Sequence, residues 1–130
     1  MDNQQQRPFL AGQAMSIRTF IGAKDFNQSR EFYQELGFAE AMISDDMSYF
    51  SICNFGFYLQ QYFVKDWVDN SMIFFEVEDA DATYEHLKSL ELQDRYNGVK
   101  LSTVKEEAWG KECFLHDPSG VLWHFGQFYY

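Results

Sequence analysis

Cysteine, proline and histidine are all scarce in this 130-residue chain, which has two, two and three of them. Cys53 and Cys113 form neither a CxxC pair nor a dense spacing, which excludes a disulfide framework and a thiolate metal knot. Positive charge is scarce as well: 10 Lys plus Arg stand against 20 Asp plus Glu, a formal net charge of -10. That balance repels nucleic-acid phosphates and anionic lipid surfaces, so neither is expected as a partner and a cationic one is favoured. No apolar run approaches the roughly 18 residues that a membrane-spanning helix needs. The start, Met1 to Arg7, is polar and lacks the apolar stretch of a secretion signal. With so few cysteines, the expected setting is a reducing cytoplasm.

Aromatic surface is what the chain has in excess: 14 Phe, 8 Tyr and 3 Trp. An average core does not call for so many rings, so some are expected to line a pocket. The length suits one domain that buries its core without staples.

Periodicity divides the chain into two similar halves. Residues 17–23 (IRTFIGA) read as a strand, and Asp25-Phe26-Asn27 then opens a helix over SREFYQEL that Gly37 ends. Strand-like runs follow at 38–44, 48–53 and 57–63, separated by Asp45-Asp46 and by Asn54-Phe55-Gly56. The second half repeats the order: a strand at 71–78, Asp79 as N-cap, a helix over 80–90, and strands near 99–104, 111–116 and 121–128. Asp117-Pro118-Ser119-Gly120 joins the last two as a turn. The predicted class is α+β: two βαβββ modules over about 16–64 and 70–128, making a single domain 16–130 behind an N-terminal arm, 1–15. In that arm Arg7-Pro8-Phe9-Leu10 suits an extended segment at a sheet edge.

Alternation assigns the faces of the strands. Ile17, Thr19 and Ile21, then Phe57 and Leu59, then Ile73, Phe75 and Val77 form a mostly apolar set that should pack under the helices. The other face carries Arg18 and Phe20, then Tyr58, Gln60 and Tyr62, then Met72, Phe74 and Glu76, then Leu122 and His124. Aromatic walls with a few polar points are what a ligand cavity needs. A regular hairpin at the last turn sets His116 opposite Val121, on the face of Trp123, with His124 on the other side, so the two imidazoles should not meet. His86 reads as a surface group on the second helix.

The segments KDFNQSREFYQELGF and HDPSGVLWHF resemble the two hallmarks of the glyoxalase, bleomycin-resistance and extradiol-dioxygenase superfamily, over about residues 16–128. The resemblance implies a glyoxalase-like fold in which the two modules form an open, curved mixed β-sheet barrel around a cavity. It places the four metal-ligand positions of the metal-using members at Arg18, Gln60, Met72 and His124. Of these only His124 suits zinc, nickel or iron, and an arginine adds a repelling charge, so neither a metal nor another cofactor is expected. LGFAEAMISDDM, DNSMIFFEVEDADATYEHL and AWGKECFLHDPSGVLWHF are most similar to the bleomycin-resistance branch, whose members hold a cationic antibiotic between the subunits of a dimer. On that likeness Asp46 and Met47 stand where the branch has an acidic group and an aromatic pocket residue, and Trp109 where it has a pocket tryptophan. Met47 departs from the aromatic pattern. The N-terminal arm is implied to cross to a partner, giving a homodimer with arm exchange.

The expected function is therefore metal-free capture of a small cationic or aromatic molecule, such as bleomycin, with no catalytic residue. Its candidate contacts are Arg18, Asp46, Met47, Tyr58, Gln60, Tyr62, Phe74, Trp109 and His124. A tryptophan face is worth about 0.5 to 2 kcal/mol to a cation, depending on desolvation. Two competing expectations are a divergent lyase, isomerase or dioxygenase-related enzyme, in one form using His124 with Glu76 or Arg18, and a dimeric interaction domain whose cavity is filled by Tyr58, Tyr62, Phe74 and Trp109.

Overall fold

The computed structural model describes residues 8–130, so Arg7 and the rest of the arm's polar start lie outside the described residues. The first half contains α1 (Phe9–Gln13), β1 (Thr19–Gly22), α2 (Phe26–Leu36), β2 (Ala39–Ser44), β3 (Met47–Ile52) and β4 (Phe55–Gln60). After α3 (Lys65–Asp69), the second half contains β5 (Met72–Glu76), α4 (Ala80–Ser89), α5 (Leu92–Arg95), β6 (Lys100–Leu101), β7 (Lys105–Glu106), β8 (Gly110–His116) and β9 (Leu122–Phe128). Both long helices start as their sequences predict. A side-chain oxygen of Asp25 accepts the Gln28 N–H at 3.1 Å, and one of Asp79 accepts the Ala82 N–H at 3.0 Å. Gly37, at φ 118, closes α2 in the left-handed conformation that glycine adopts without a Cβ clash.

The first sheet has the order β1-β4-β3-β2 and the second β5-β9-β8-β6, with β7 also on β8. In each, the first strand runs parallel to the last and the other pairs are antiparallel. The α+β class and the two mixed sheets agree with the periodicity. The barrel does not form: among the described residues no ladder joins the two sheets, and each remains open with its own edge strands. The physical reason is visible in the packing. Tyr33 on α2 meets Phe57 of β4 at 4.9 Å and Trp123 of β9 at 5.7 Å between ring centroids, and Phe57 meets Trp123 at 5.4 Å. One core thus takes up the inner faces of both sheets, so their outer faces point away from it and cannot enclose a hollow within one chain.

Several local expectations also change. Phe9–Gln13 is a short exposed helix, not an extended arm. The first strand is shorter than 17–23, and Ile17 and Thr19 lie exposed where the alternation put them under helices. The sequence pattern does not show α3 and α5, and the strand expected near 99–104 is only the two-residue β6, with the two-residue β7 just beyond that range.

Asp117 ties the halves together. It is fully buried, and its Oδ2 accepts the Tyr33 hydroxyl at 2.6 Å while Trp123 Nε1 donates to that same hydroxyl at 3.0 Å. Its Oδ1 accepts the N–H groups of Ser119, Gly120 and Val121 at 2.9, 2.8 and 2.9 Å. Burial raises the carboxyl above its ordinary value, opposed by the donors from Tyr33, Val121, Ser119 and Gly120. The folded state therefore holds the proton more tightly than the unfolded chain. This group's contribution is greatest below about pH 4 and is lost as pH rises through the folded value. Asp117→Ala should cost about 3 kcal/mol in urea unfolding, because it strands several buried donors, whereas Asp117→Asn keeps the Oδ1 contacts and should cost about 1 kcal/mol. Plotted against pH, the stability of the wild type relative to Asp117→Asn should decline from about pH 4 upward; a rise would contradict the sign.

Candidate functional site

Register places the outward residues of the first sheet in rows. Phe20 lies beside Tyr58 and Tyr58 beside Tyr49, while Gln60 lies beside Met47. Phe20 stacks on Tyr58 at 4.8 Å and Tyr49 leans on Tyr58 at 5.2 Å. Arg18, just ahead of β1, lays its guanidinium 4.3 Å from the Tyr49 centroid and donates to the Tyr58 hydroxyl at 3.0 Å. That hydrogen bond pushes the guanidinium further above its already high value, so a fixed positive charge occupies this position.

The second sheet carries the other ring cluster. Phe74 on β5 lies 5.9 Å from Trp109 and 5.4 Å from Phe128, and Trp109 and Phe128 are 5.2 Å apart. Gly126 makes this possible, since a Cβ there would collide with the Phe74 ring lying across β9. Phe74, His124 and Phe114 form one row across β5, β9 and β8. His124 Nδ1 lies 2.8 Å from Glu112 Oε1, and Glu112 is only 8% exposed. Trp109 itself is 37% exposed, which argues against a core role.

The candidate residues therefore separate into two surfaces. Arg18, Met47, Tyr58 and Gln60 belong to the first sheet's outer face, and Phe74, Trp109 and His124 to the second's. Asp46 sits in the β2–β3 turn, where Ser44 Oγ donates to it at 2.7 Å and its carbonyl accepts the Gln61 N–H at 2.8 Å. Tyr62 lies past the end of β4 and packs on Trp67 at 5.7 Å, away from the tyrosine row. The four rings proposed to fill a cavity are thus divided among three places.

The last hairpin corrects the histidine geometry. His116 pairs with Leu122 and Phe114 with His124, so His116 and His124 share a face, one step apart along the ladder. The loop is longer than a regular tight turn because the Asp117 N–H closes on the Val121 carbonyl at 2.9 Å, which moves the register by one residue. Among the described residues, no three His, Cys, Asp or Glu side chains gather closely enough to hold a metal ion. Glu76 does not meet His124; its Oε2 accepts the Tyr130 hydroxyl at 2.8 Å.

Glu112, Tyr49, Phe114 and Phe128 are the residues sequence reasoning missed. Alternation from Phe114 would have placed Glu112 on the same outward row, but identifying its partner required the corrected hairpin register. A cleft of about 280 Å³ opens at the seam between the sheets, between Thr19 and Phe57 on one side and Ile73, Phe75 and Trp123 on the other, with Phe74 and Glu76 also among its lining residues.

No family model and no curated protein sequence matches the chain. Solved structures do. The bleomycin resistance determinant encoded on transposon Tn5 superposes with a TM-score of 0.76 at 16% identity, covering 90% of this chain and 100% of that one. The bleomycin-binding protein of Streptomyces verticillus, complexed with copper(II)-bleomycin, gives a TM-score of 0.72 at 22% identity, over 86% of this chain and 94% of that one. Lactoylglutathione lyase from Agrobacterium tumefaciens gives 0.65 at 12% identity, over 88% and 93%. At these identities the likeness establishes architecture, which a binding protein and a lyase share, and function has to be argued from the site.

The occupants of the four would-be ligand positions generate a prediction. Arg18 is charged and tied to tyrosines, Gln60 is neutral, Met72 is exposed, and His124 is engaged by Glu112. Purified protein should retain no stoichiometric zinc, nickel or iron in elemental analysis. Neither a chelator nor added metal should move its unfolding temperature, although an ion held at 100 times its Kd would add about 2.7 kcal/mol. The chain has the fold shared by the bleomycin-binding proteins and the glyoxalase-type lyases.

Proposed function

We propose that this chain is a metal-free receptor that captures a small cationic or aromatic molecule, of which a bleomycin-type antibiotic is the leading example, and lowers its free concentration. The observation that carries this reading is the aromatic surface of Phe74, Trp109 and Phe128 standing beside the partly buried Glu112–His124 pair. Exposed rings of this size on one sheet face are a costly surface to leave in water, and they suit a planar guest. The net charge of -10 draws in a cation. The bleomycin bound by structures of the same fold supports the choice of first ligand.

The working unit in this proposal is a cytoplasmic homodimer of one-domain chains (16–130). The outer faces of one chain point away from their common core, so a two-walled hollow needs the first sheet of one copy opposite the second sheet of another. Charge supports that pairing, since Arg18 stands on one face and Glu112 with Glu76 on the other. Arm exchange would be led by α1, whose Phe9 and Leu10 are exposed.

Calorimetry with bleomycin and a panel of cationic aromatics tests the reading. Binding should weaken as salt is added, and Trp109→Ala should weaken it about tenfold, in keeping with the loss of one stacking or cation–π face. Light scattering over a dilution series should give the mass of a dimer, falling to that of a monomer at the lowest concentrations. No heat from any member of the panel would defeat the proposal.

A further inference from the structure

We propose that His124 acts as a hydrogen-bond acceptor toward the ligand, kept in that state by Glu112, so that the face selects planar molecules carrying an O–H or N–H donor. This rests on the reading that the second sheet's outer face binds a small molecule, and it adds which chemistry the molecule must present.

The polarity of the pair follows from its chemistry. An ionised carboxylate only accepts, so in the neutral imidazole the proton sits on Nδ1, 2.8 Å from Glu112 Oε1. Nε2 is then the ring's lone-pair nitrogen, and no hydrogen bond among the described residues engages it. The ring is held on both sides: Phe74 lies roughly parallel to it at 6.2 Å and Phe114 meets it edge-on at 4.9 Å. Its side chain remains 20% exposed, so an incoming molecule can reach it.

Glu112 has no evident reason to be there for stability alone. It is nearly buried, its cross-strand neighbours are Gly126 on one side and Lys105 on the other, no ion pair with that lysine forms, and an apolar residue would avoid the cost of desolvating a charge. What the carboxylate supplies is a fixed tautomer and ring orientation, which makes Glu112 a positioning residue and His124 the contact. A guest that donates satisfies Nε2; a guest of the same shape without a donor covers it and leaves it unpaired, a difference sites use for strong discrimination.

Two measurements decide the matter. Nitrogen-15 NMR of histidine-labelled protein at pH 7.5 to 8, without ligand, should show His124 with a protonated Nδ1 and an imine-type Nε2. Glu112→Leu should lose that preference. A proton on Nε2 in the wild type, alone or on both nitrogens, would overturn the inference. Equilibrium dialysis at pH 7.5 with 2-naphthol and 2-methoxynaphthalene, alike in shape and different in the donor, should then show about tenfold tighter binding of the naphthol. His124→Phe should abolish the preference, and His124→Gln, whose amide oxygen also accepts, should keep part of it. Equal binding of the pair to the wild type would sink the inference while leaving the aromatic receptor standing. Binding of neither would count against the receptor itself and take the selection by His124 with it.

Discussion

The hydrogen-bonded chain from Trp123 through Tyr33 to Asp117 is the constraint on which the arrangement of the two modules depends. Its members come from α2 in the first half and from the last hairpin in the second, and all three are buried. A carboxyl buried at a seam is tolerable only with its acceptor sites filled, and four donors from two modules fill them here. Because Tyr33 also packs on Phe57 and Trp123, the polar chain and the aromatic core specify the same docking of one sheet against the other. Shifting either module would break both at once.

That docking decides which ring-bearing faces stay outside the core. With the inner faces consumed by a shared core, the aromatic rows of the two outer faces are covered by no other element among the described residues. The first face is polarised by a guanidinium clasped by two tyrosines, and the second by a carboxylate-backed imidazole among phenylalanines. Each is a flat, ring-bearing surface marked by one polar anchor. The two faces therefore differ in charge, one carrying a guanidinium and the other a carboxylate. Arg18, at the first of the would-be metal positions, carries the charge that an ion would bring, which disfavours metal chemistry there.

Much of the architecture was legible. The caps at Asp25 and Asp79, the stop at Gly37 and the apolar alternation of Phe57 and Leu59 are local signals, and each appears where the pattern put it. The errors cluster where local signals are weak or where register is set at a distance. Helix α3 follows a run that reads as strand, and its Val68 is buried against the fold, a tertiary preference with no periodic trace in five residues. Ile17 reads as core, yet it precedes the strand and stays exposed. The histidine register was off by one because Asp117 turns its side chain inward and its N–H toward Val121, lengthening the loop by a residue that turn residues alone do not announce.

The amino-acid sequence by itself determined the two-module order, the starts of the two long helices and the surplus of rings, because each depends on neighbours a few residues apart or on residue type. Only the tertiary structure decided that the two sheets share one core and turn their ring-bearing faces outward, that Arg18 is held by Tyr49 and Tyr58, and that Glu112 stands behind His124. Those facts depend on strand register and on contacts between residues as much as 90 positions apart, as Tyr33 and Trp123 are, and no local pattern encodes a distance of that kind.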